Sequence, residues 1–332
     1  MGSPVRSVLR DIVAHAGRRA TGVLLAVLLA ASGALAGCVD QHPECAEGDT
    51  GEPRIIAASP AVADLCDLLH LDLVGIASTA KDVPESYQGL PEVGTAIAPD
   101  LEAIKALRPD VVISPASLSY DLQPKYAGIT VGSLFLDLRS VDGMYDSLAY
   151  LGRRFNRQEA ADALVAGYRS YIEQYQRSHE GKEGPRVLIL MGVPGSYMVA
   201  TPESYVGSLV EQAGGVNVYA DATGEFVNVN TEDMQARDPD IILRAAHALP
   251  DDVMAMFAEE FATNDIWKHF RAVQEGQVYD LPADLFGMSA TMDYPEALEL
   301  LDGMLYGGGA DSVAEGPVEG TASTSATDQK EG

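Results

Sequence analysis

The sequence predicts an α/β fold: two similar α/β lobes with central, mostly parallel sheets, joined by a long connector helix, with a ligand cleft between the lobes. Three observations carry this expectation. Short apolar runs alternate with helix-period stretches through the middle of the chain, the pattern of parallel βα units. One such unit recurs at a fixed offset. A long proline-free helical stretch separates the two copies.

The repeat is read residue by residue. Leu101-Glu102-Ala103-Ile104-Lys105-Ala106-Leu107-Arg108-Pro109-Asp110-Val111-Val112-Ile113 returns 130 residues later, without a gap, as Thr231-Glu232-Asp233-Met234-Gln235-Ala236-Arg237-Asp238-Pro239-Asp240-Ile241-Ile242-Leu243. Each copy opens near a helix N-terminus, ends its helix before a proline and runs into a β-branched strand. Pro53-Arg54-Ile55-Ile56 and Pro185-Arg186-Val187-Leu188 begin an apolar strand in the same way.

Between the copies, Val141 to His179 contains no proline. It carries Met144, Leu148, Leu151, Ala161, Leu164, Val165, Tyr168, Ile172 and Tyr175 at helical spacing. The reading is a long helical connector, with Gly152–Asn156 as its one point of weakness. Such a connector predicts a stiff hinge and small domain closure.

The N-terminus has the marks of an exported precursor. Arg6, Arg10, Arg18 and Arg19 precede a nearly unbroken apolar run from Ala20 to Leu35, and small residues follow. The run is short of the roughly 20 residues a membrane span needs. Leu35-Ala36-Gly37-Cys38 resembles a lipobox. In that reading Cys38 becomes the lipid-modified, palmitate-bearing first residue of the mature chain. An ordinary signal peptide followed by a cysteine is the plainer alternative. The organisation expected is a lipoprotein signal peptide (1–37), a tether (38–52), an N-terminal α/β lobe (53–140), the helical connector (141–180), a C-terminal α/β lobe (181–305) and a disordered tail (306–332).

Removing residues 1–37 takes away four Arg and one Asp, which moves the formal net charge from −27 to −30. So acidic a surface repels nucleic acid and excludes it as a partner. Cys45 falls in the tether and Cys66 in a helical pattern. No CxxC pair is present, so zinc and redox motifs have no support, and Cys66 reads as a small buried hydrophobe.

In open α/β sheets, ligands bind beyond the carboxyl ends of the strands. The loops of interest are therefore Ser59–Val62, Ala77–Lys81 and Pro115–Tyr120 in the N-lobe. In the C-lobe they are Met191–Tyr197, Ala245–Pro250 and Pro282–Met288. His247 stands out, because it follows a strand and is flanked by Ala, Leu and Pro. A neutral imidazole on an apolar rim can ligate a metal or a haem iron; a hydrogen-bonded rim histidine is the plain alternative. There is no GxSxG, HExxH or GxxxxGK[ST] motif and no paired-carboxylate pattern. An α/β enzyme or a metal chaperone would need convergent acids, histidines or nucleophiles that these loops do not supply.

Several stretches carry a family resemblance. They are Ser140–Tyr145, Val187–Tyr197, Ala200–Val210, Val229–Met234, Arg244–Pro250 and Thr263–Val273. With them the chain from Arg54 to about Tyr306 resembles the IsdE-type haem-binding lipoproteins, within the class III periplasmic binding proteins that include cobalamin- and siderophore-binding relatives. The resemblance implies a non-enzymatic receptor that binds haem b as transported ligand. It would be a monomer anchored through Cys38 on the extracytoplasmic face of the cell membrane, supplied by upstream haem-donating surface proteins and delivering to an ABC permease dimer. A ferric siderophore or a cobalamin-like corrinoid is the alternative cargo; the mostly apolar loops favour a flat macrocycle.

The resemblance also implies roles for residues. The iron ligand falls on His247. The family's second ligand, a methionine of the N-lobe, falls where this chain has Ile97, which cannot coordinate iron. Haem held by His247 alone, a substitute such as Met288 or Met191, or a different tetrapyrrole would each accommodate that departure. The haem propionates fall on the helix start at Ala61 and Val62 and on the loop Thr79-Ala80-Lys81; a helix N-terminus suits an anion. The permease-docking acids fall on Glu102 and Glu232, equivalent positions of the repeat.

Overall fold

The structure, a computed structural model, describes residues 52–307. The leader, Cys38, Cys45 and all but the first two residues of the tail lie outside the described residues. Among the described residues no helix is long and apolar enough to cross a membrane.

The N-lobe comprises β1 (Ile55–Ala57), α1 (Pro60–Leu68), β2 (Leu73–Ile76), α2 (Leu101–Leu107), β3 (Val111–Pro115), α3 (Ser119–Gly128) and β4 (Gly132–Leu136). Its sheet runs β2-β1-β3-β4, and every pair is parallel. β1 and β3 are buried throughout, as strands covered on both faces must be. The helix starts follow from their caps. Ser59 Oγ accepts the Val62 N–H at 3.2 Å with Pro60 next in line, and Asp100 Oδ1 accepts the Glu102 and Ala103 N–H groups at 3.0 Å.

The connector is a helical hairpin rather than one rod. α4 (Val141–Arg154) and α5 (Gln158–Ser178) lie antiparallel, since residues early in one meet residues late in the other. Tyr145 stacks on Tyr168 with centroids 4.2 Å apart, and the Tyr168 hydroxyl donates to Asp142 Oδ1 at 2.7 Å. At the other end a Cβ on Gly152 would stand 2.4 Å from Ala161 Cβ, so only glycine allows the helices this close. The corner is Phe155–Arg157. Phe155 is buried and Asn156 takes a left-handed φ of 57°, a conformation Asn tolerates better than most residues. The chain reverses there, so the expectation of a single stiff rod does not hold and α5 alone is the long helix.

The C-lobe comprises β5 (Arg186–Val193), β6 (Ser196–Ala200), α6 (Tyr205–Gln212), β7 (Val216–Asn217), β8 (Phe226–Val227), α7 (Thr231–Ala236), β9 (Ile241–Ala246), α8 (Pro250–Thr263), α9 (Arg271–Gln274), β10 (Val278–Asp280) and α10 (Tyr294–Tyr306). Its parallel strands β7-β5-β9-β10 repeat the order β2-β1-β3-β4. The antiparallel strands β6 and β8 are what the C-lobe adds. The two-lobe α/β architecture expected from the sequence is borne out.

One continuous cluster of buried residues runs through both lobes. It joins Ile55 and Ile113 to Ile189 and Leu243 by way of Tyr145, Leu148, Leu164 and Leu298. A smaller cluster lies on the other face of each sheet. The lobes therefore share a core built on the hairpin and α10, which holds their relative position more firmly than a flexible linker would.

Candidate functional site

In each lobe the parallel strands end together and are stitched side by side at their carboxyl ends. In the N-lobe the Ala58 N–H donates to Ile113 O at 2.8 Å and the Ala77 N–H to Ala57 O at 2.9 Å. The loops after β1, β2 and β3 therefore emerge as neighbours. The Ala63 N–H makes the first intrahelical bond of α1, to Ser59 O; of the N–H groups before it, which have no intrahelical acceptors, Val62's is taken by Ser59 Oγ. Pro60 has none, which leaves Ala61 as the open donor. The next loop is shaped by Thr79, whose Oγ1 accepts the Lys81 N–H at 3.0 Å; Lys81 is exposed.

Ile97 is the tip of a tight turn beside this loop. The Ser78 N–H donates to Gly94 O at 2.8 Å, and the turn closes through Ala98 N–H to Thr95 O at 3.1 Å and Asp100 N–H to Val93 O at 2.8 Å. Gly94 has φ +83°, and a Cβ there would stand 2.7 Å from both Ala98 O and Asp100 N. Glycine is thus needed for the turn that presents Ile97, whose side chain is 68% exposed. The positions matched to the propionates and to the missing methionine are adjacent in space.

In the C-lobe the His247 N–H donates to Gly192 O at 3.0 Å and the Leu281 N–H to Arg244 O at 2.8 Å. The β5–β6 turn, the His247 loop and the 282–290 loop thus stand in a row. A Cβ on Gly192 would meet Val253 Cγ1 at 2.3 Å and Phe257 Cε2 at 2.8 Å, so α8 lies directly on the end of β5 and fixes the His247 loop from behind. His247 is exposed by surface area, yet protein crowds the ring enough to strip hydration and lower its pKa from the ordinary 6.5. The lone pair a metal needs is therefore favoured at neutral pH.

Met288 is half-buried and packs against the main core cluster. Its loop is tied to the N-lobe by the Ala290 N–H, which donates to Leu138 O at 2.7 Å. Met191 is 1% exposed within the core, which removes it as a substitute ligand. Glu102 and Glu232 are exposed in the first turns of α2 and α7, behind the caps Asp100 and Asn230. Both helices run down to a strand that rises to the site edge, so both acids sit at that edge. Among the described residues no group of three or more His, Cys, Asp or Glu is placed to hold a metal ion.

Two exposed apolar residues lie in these loops without having been singled out by sequence. Tyr120 is 91% exposed at the start of α3, and Leu249 is 58% exposed two residues after His247. For Leu249 the signal was present: leucine precedes Pro250 where a helix cap would ordinarily be Ser, Thr, Asp or Asn.

Two parallel α/β units that present equivalent strand-end loops are the architecture of a two-lobed receptor, and the sequence pattern of the periplasmic binding proteins matches residues 55–285. The chain belongs to the periplasmic binding protein family. Within this family it is 40% identical over 258 residues to the high-affinity heme uptake system protein IsdE of Staphylococcus aureus, spanning 77% of this chain and 88% of that one. Among solved structures it is similar to an ABC transporter substrate-binding protein from Listeria monocytogenes EGD-e. The identity is 46% and the TM-score 0.74, over 77% of this chain and 99% of that one. The S. aureus IsdE structure complexed with heme gives 40% identity and a TM-score of 0.74, over 77% and 100%. The vitamin B12 binding protein BtuF of Vibrio cholerae shares 18% identity at a TM-score of 0.61 over 76% of this chain and 96% of that one, a likeness of fold alone. The resemblance read from the sequence is thereby borne out.

Proposed function

We propose that this family member is an extracytoplasmic receptor that captures haem b and delivers it to an ABC importer, without transforming it. His247 at the end of β9, on an apolar rim with its imidazole favoured in the neutral form, carries the reading. The similarity to a heme uptake protein over most of both chains supports the cargo. His247 supplies the iron ligand from the C-lobe. The Ala61 N–H at the start of α1, the Thr79–Lys81 loop and the Lys81 charge receive the propionates. Ile97 supplies no donor, so the opposite axial position is open or taken by Met288, whose loop reaches the N-lobe. Glu102 and Glu232, duplicated by the internal repeat, dock one on each subunit of a permease dimer. Cys38 carries the lipid that keeps the monomer at the membrane, within reach of haem-donating surface proteins.

The test is an absorption titration of the purified protein with haem, beside a corrinoid and a ferric siderophore. A saturable one-to-one Soret band with haem, and no saturable binding of the other two, is expected. Saturable binding of a corrinoid or siderophore without a Soret band would replace haem as the cargo.

A further inference from the structure

Leu249 combines a left-handed backbone with an exposed apolar side chain at the site edge. It is the N-cap of α8, with φ 46° and ψ 62°, and its side chain caps nothing. Five other described non-glycine residues have positive φ: His70, Arg108, Thr130, Asn156 and Asp238. Each of those follows the end of a helix, where a left-handed residue is a normal terminator. Leu249 alone is the N-cap of one. A bulky side chain in this conformation is strained, a leucine at a helix start forgoes the stabilisation a polar cap would give, and its exposure forgoes burial. Backbone strain of this kind persists where the surroundings impose it, and it gathers at ligand sites.

The surroundings that impose it are on the page. Pro250 fixes the first residue of α8, and the Val253 N–H donates to Leu249 O at 3.0 Å. α8 itself is pinned to the end of β5 through Val253 and Phe257. The left-handed turn reverses the chain between His247 and the helix and leaves the leucine exposed on the loop that carries the histidine. Ile97 and Tyr120, exposed on the facing N-lobe edge, are the other large apolar side chains of the strand-end loops that are open to solvent.

We propose that Leu249 is a specificity-determining contact of the cargo site: an apolar side chain held in a strained conformation so that it covers the face of a flat apolar macrocycle bound beside His247. The inference rests on the haem reading above. It assigns the leucine to the ligand rather than to the fold.

Opposite effects on folding and binding test this. Leu249→Gly removes both the strain and the side chain; Leu249→Ala removes the side chain and keeps a Cβ in the left-handed region. In the ligand-free protein, Leu249→Gly raises the thermal midpoint by about 2–4 °C, whereas Leu249→Ala does not raise it. Both weaken haem affinity about tenfold, measured by Soret titration. Unchanged affinity in both variants, with wild type binding haem, overturns the contact and leaves the haem reading standing. A lowered midpoint in Leu249→Gly overturns the strain argument. Wild-type protein that binds no haem removes the haem reading, and this inference with it.

Discussion

Arg54 and Arg186 make the same set of bonds in the two lobes. The Arg54 N–H donates to Asp110 Oδ2 at 2.7 Å, Nε to Arg108 O at 3.1 Å and Nη2 to Leu107 O at 2.8 Å. The Arg186 N–H donates to Asp240 Oδ2 at 2.7 Å, Nε to Asp238 O at 3.4 Å and Nη2 to Arg237 O at 2.6 Å. In each lobe a guanidinium ahead of the first strand satisfies carbonyls at the end of the repeat helix. The residue in the bend, Arg108 or Asp238, takes φ 47° or 44°. The duplication seen in the sequence is therefore a duplicated structural device, and it gives the two lobes matching strand-end loops.

Because these bonds close a helix C-terminus with a positive charge, Arg186→Ala is expected to destabilise the protein by about 1–2 kcal/mol. Arg54→Ala is expected to cost a similar amount. Chemical denaturation of the two variants checks this.

Replacing Ile97 by methionine puts a thioether on the tip of the Gly94 turn, beside the 78–81 loop. In a Met288→Ala background, which leaves His247 as the sole axial ligand of this account, Ile97→Met is expected to convert haem-loaded protein to a six-coordinate, low-spin ferric spectrum and to shift its reduction potential, because axial ligand identity sets both. An unchanged spectrum would show that the turn does not present residue 97 to the iron.

The exposed acids at the starts of α2 and α7 sit at the site edge and in this account serve docking, not ligand binding. Glu102→Ala and Glu232→Ala are each expected to lower haem transfer to membranes containing the permease, and the double variant to lower it further. Soret titration should show haem affinity unchanged in all three.

Desolvation lowers the His247 pKa below 6.5, so the ring stays neutral in the fold at a pH where it would be half-protonated in the unfolded chain. The sign follows: ligand-free protein keeps this contribution above pH 6.5 and loses it as pH falls through the lower folded value. Haem release is expected to have its midpoint below pH 6.5, followed by Soret absorbance. The small acid loss of stability should be absent from His247→Ala.

The repeat and the strand ends were legible because each is written in local pattern: a proline after a helix, a β-branched run. His247 stood out among apolar neighbours, but its proposed ligand role came from the family resemblance. A break near Gly152–Asn156 was legible too, but the reversal of the chain at Phe155–Arg157 was not. Its sequence is helix-compatible, and what fixes the hairpin is contact between distant residues, Gly152 on Ala161 and Tyr145 on Tyr168. Nor could sequence distinguish Met191 from Met288 as a ligand, because one is sealed in the core by a sheet and the other lies in a loop. The left-handed turn at Leu249 is likewise imposed by the docking of α8 on β5.

The most direct test of the account is the ferric absorption spectrum of the purified protein with one equivalent of haem, for wild type and His247→Ala. The account predicts a saturable Soret band in wild type that collapses, with at least a tenfold loss of affinity, in the variant. A variant that binds haem with the same band and affinity would contradict ligation by His247.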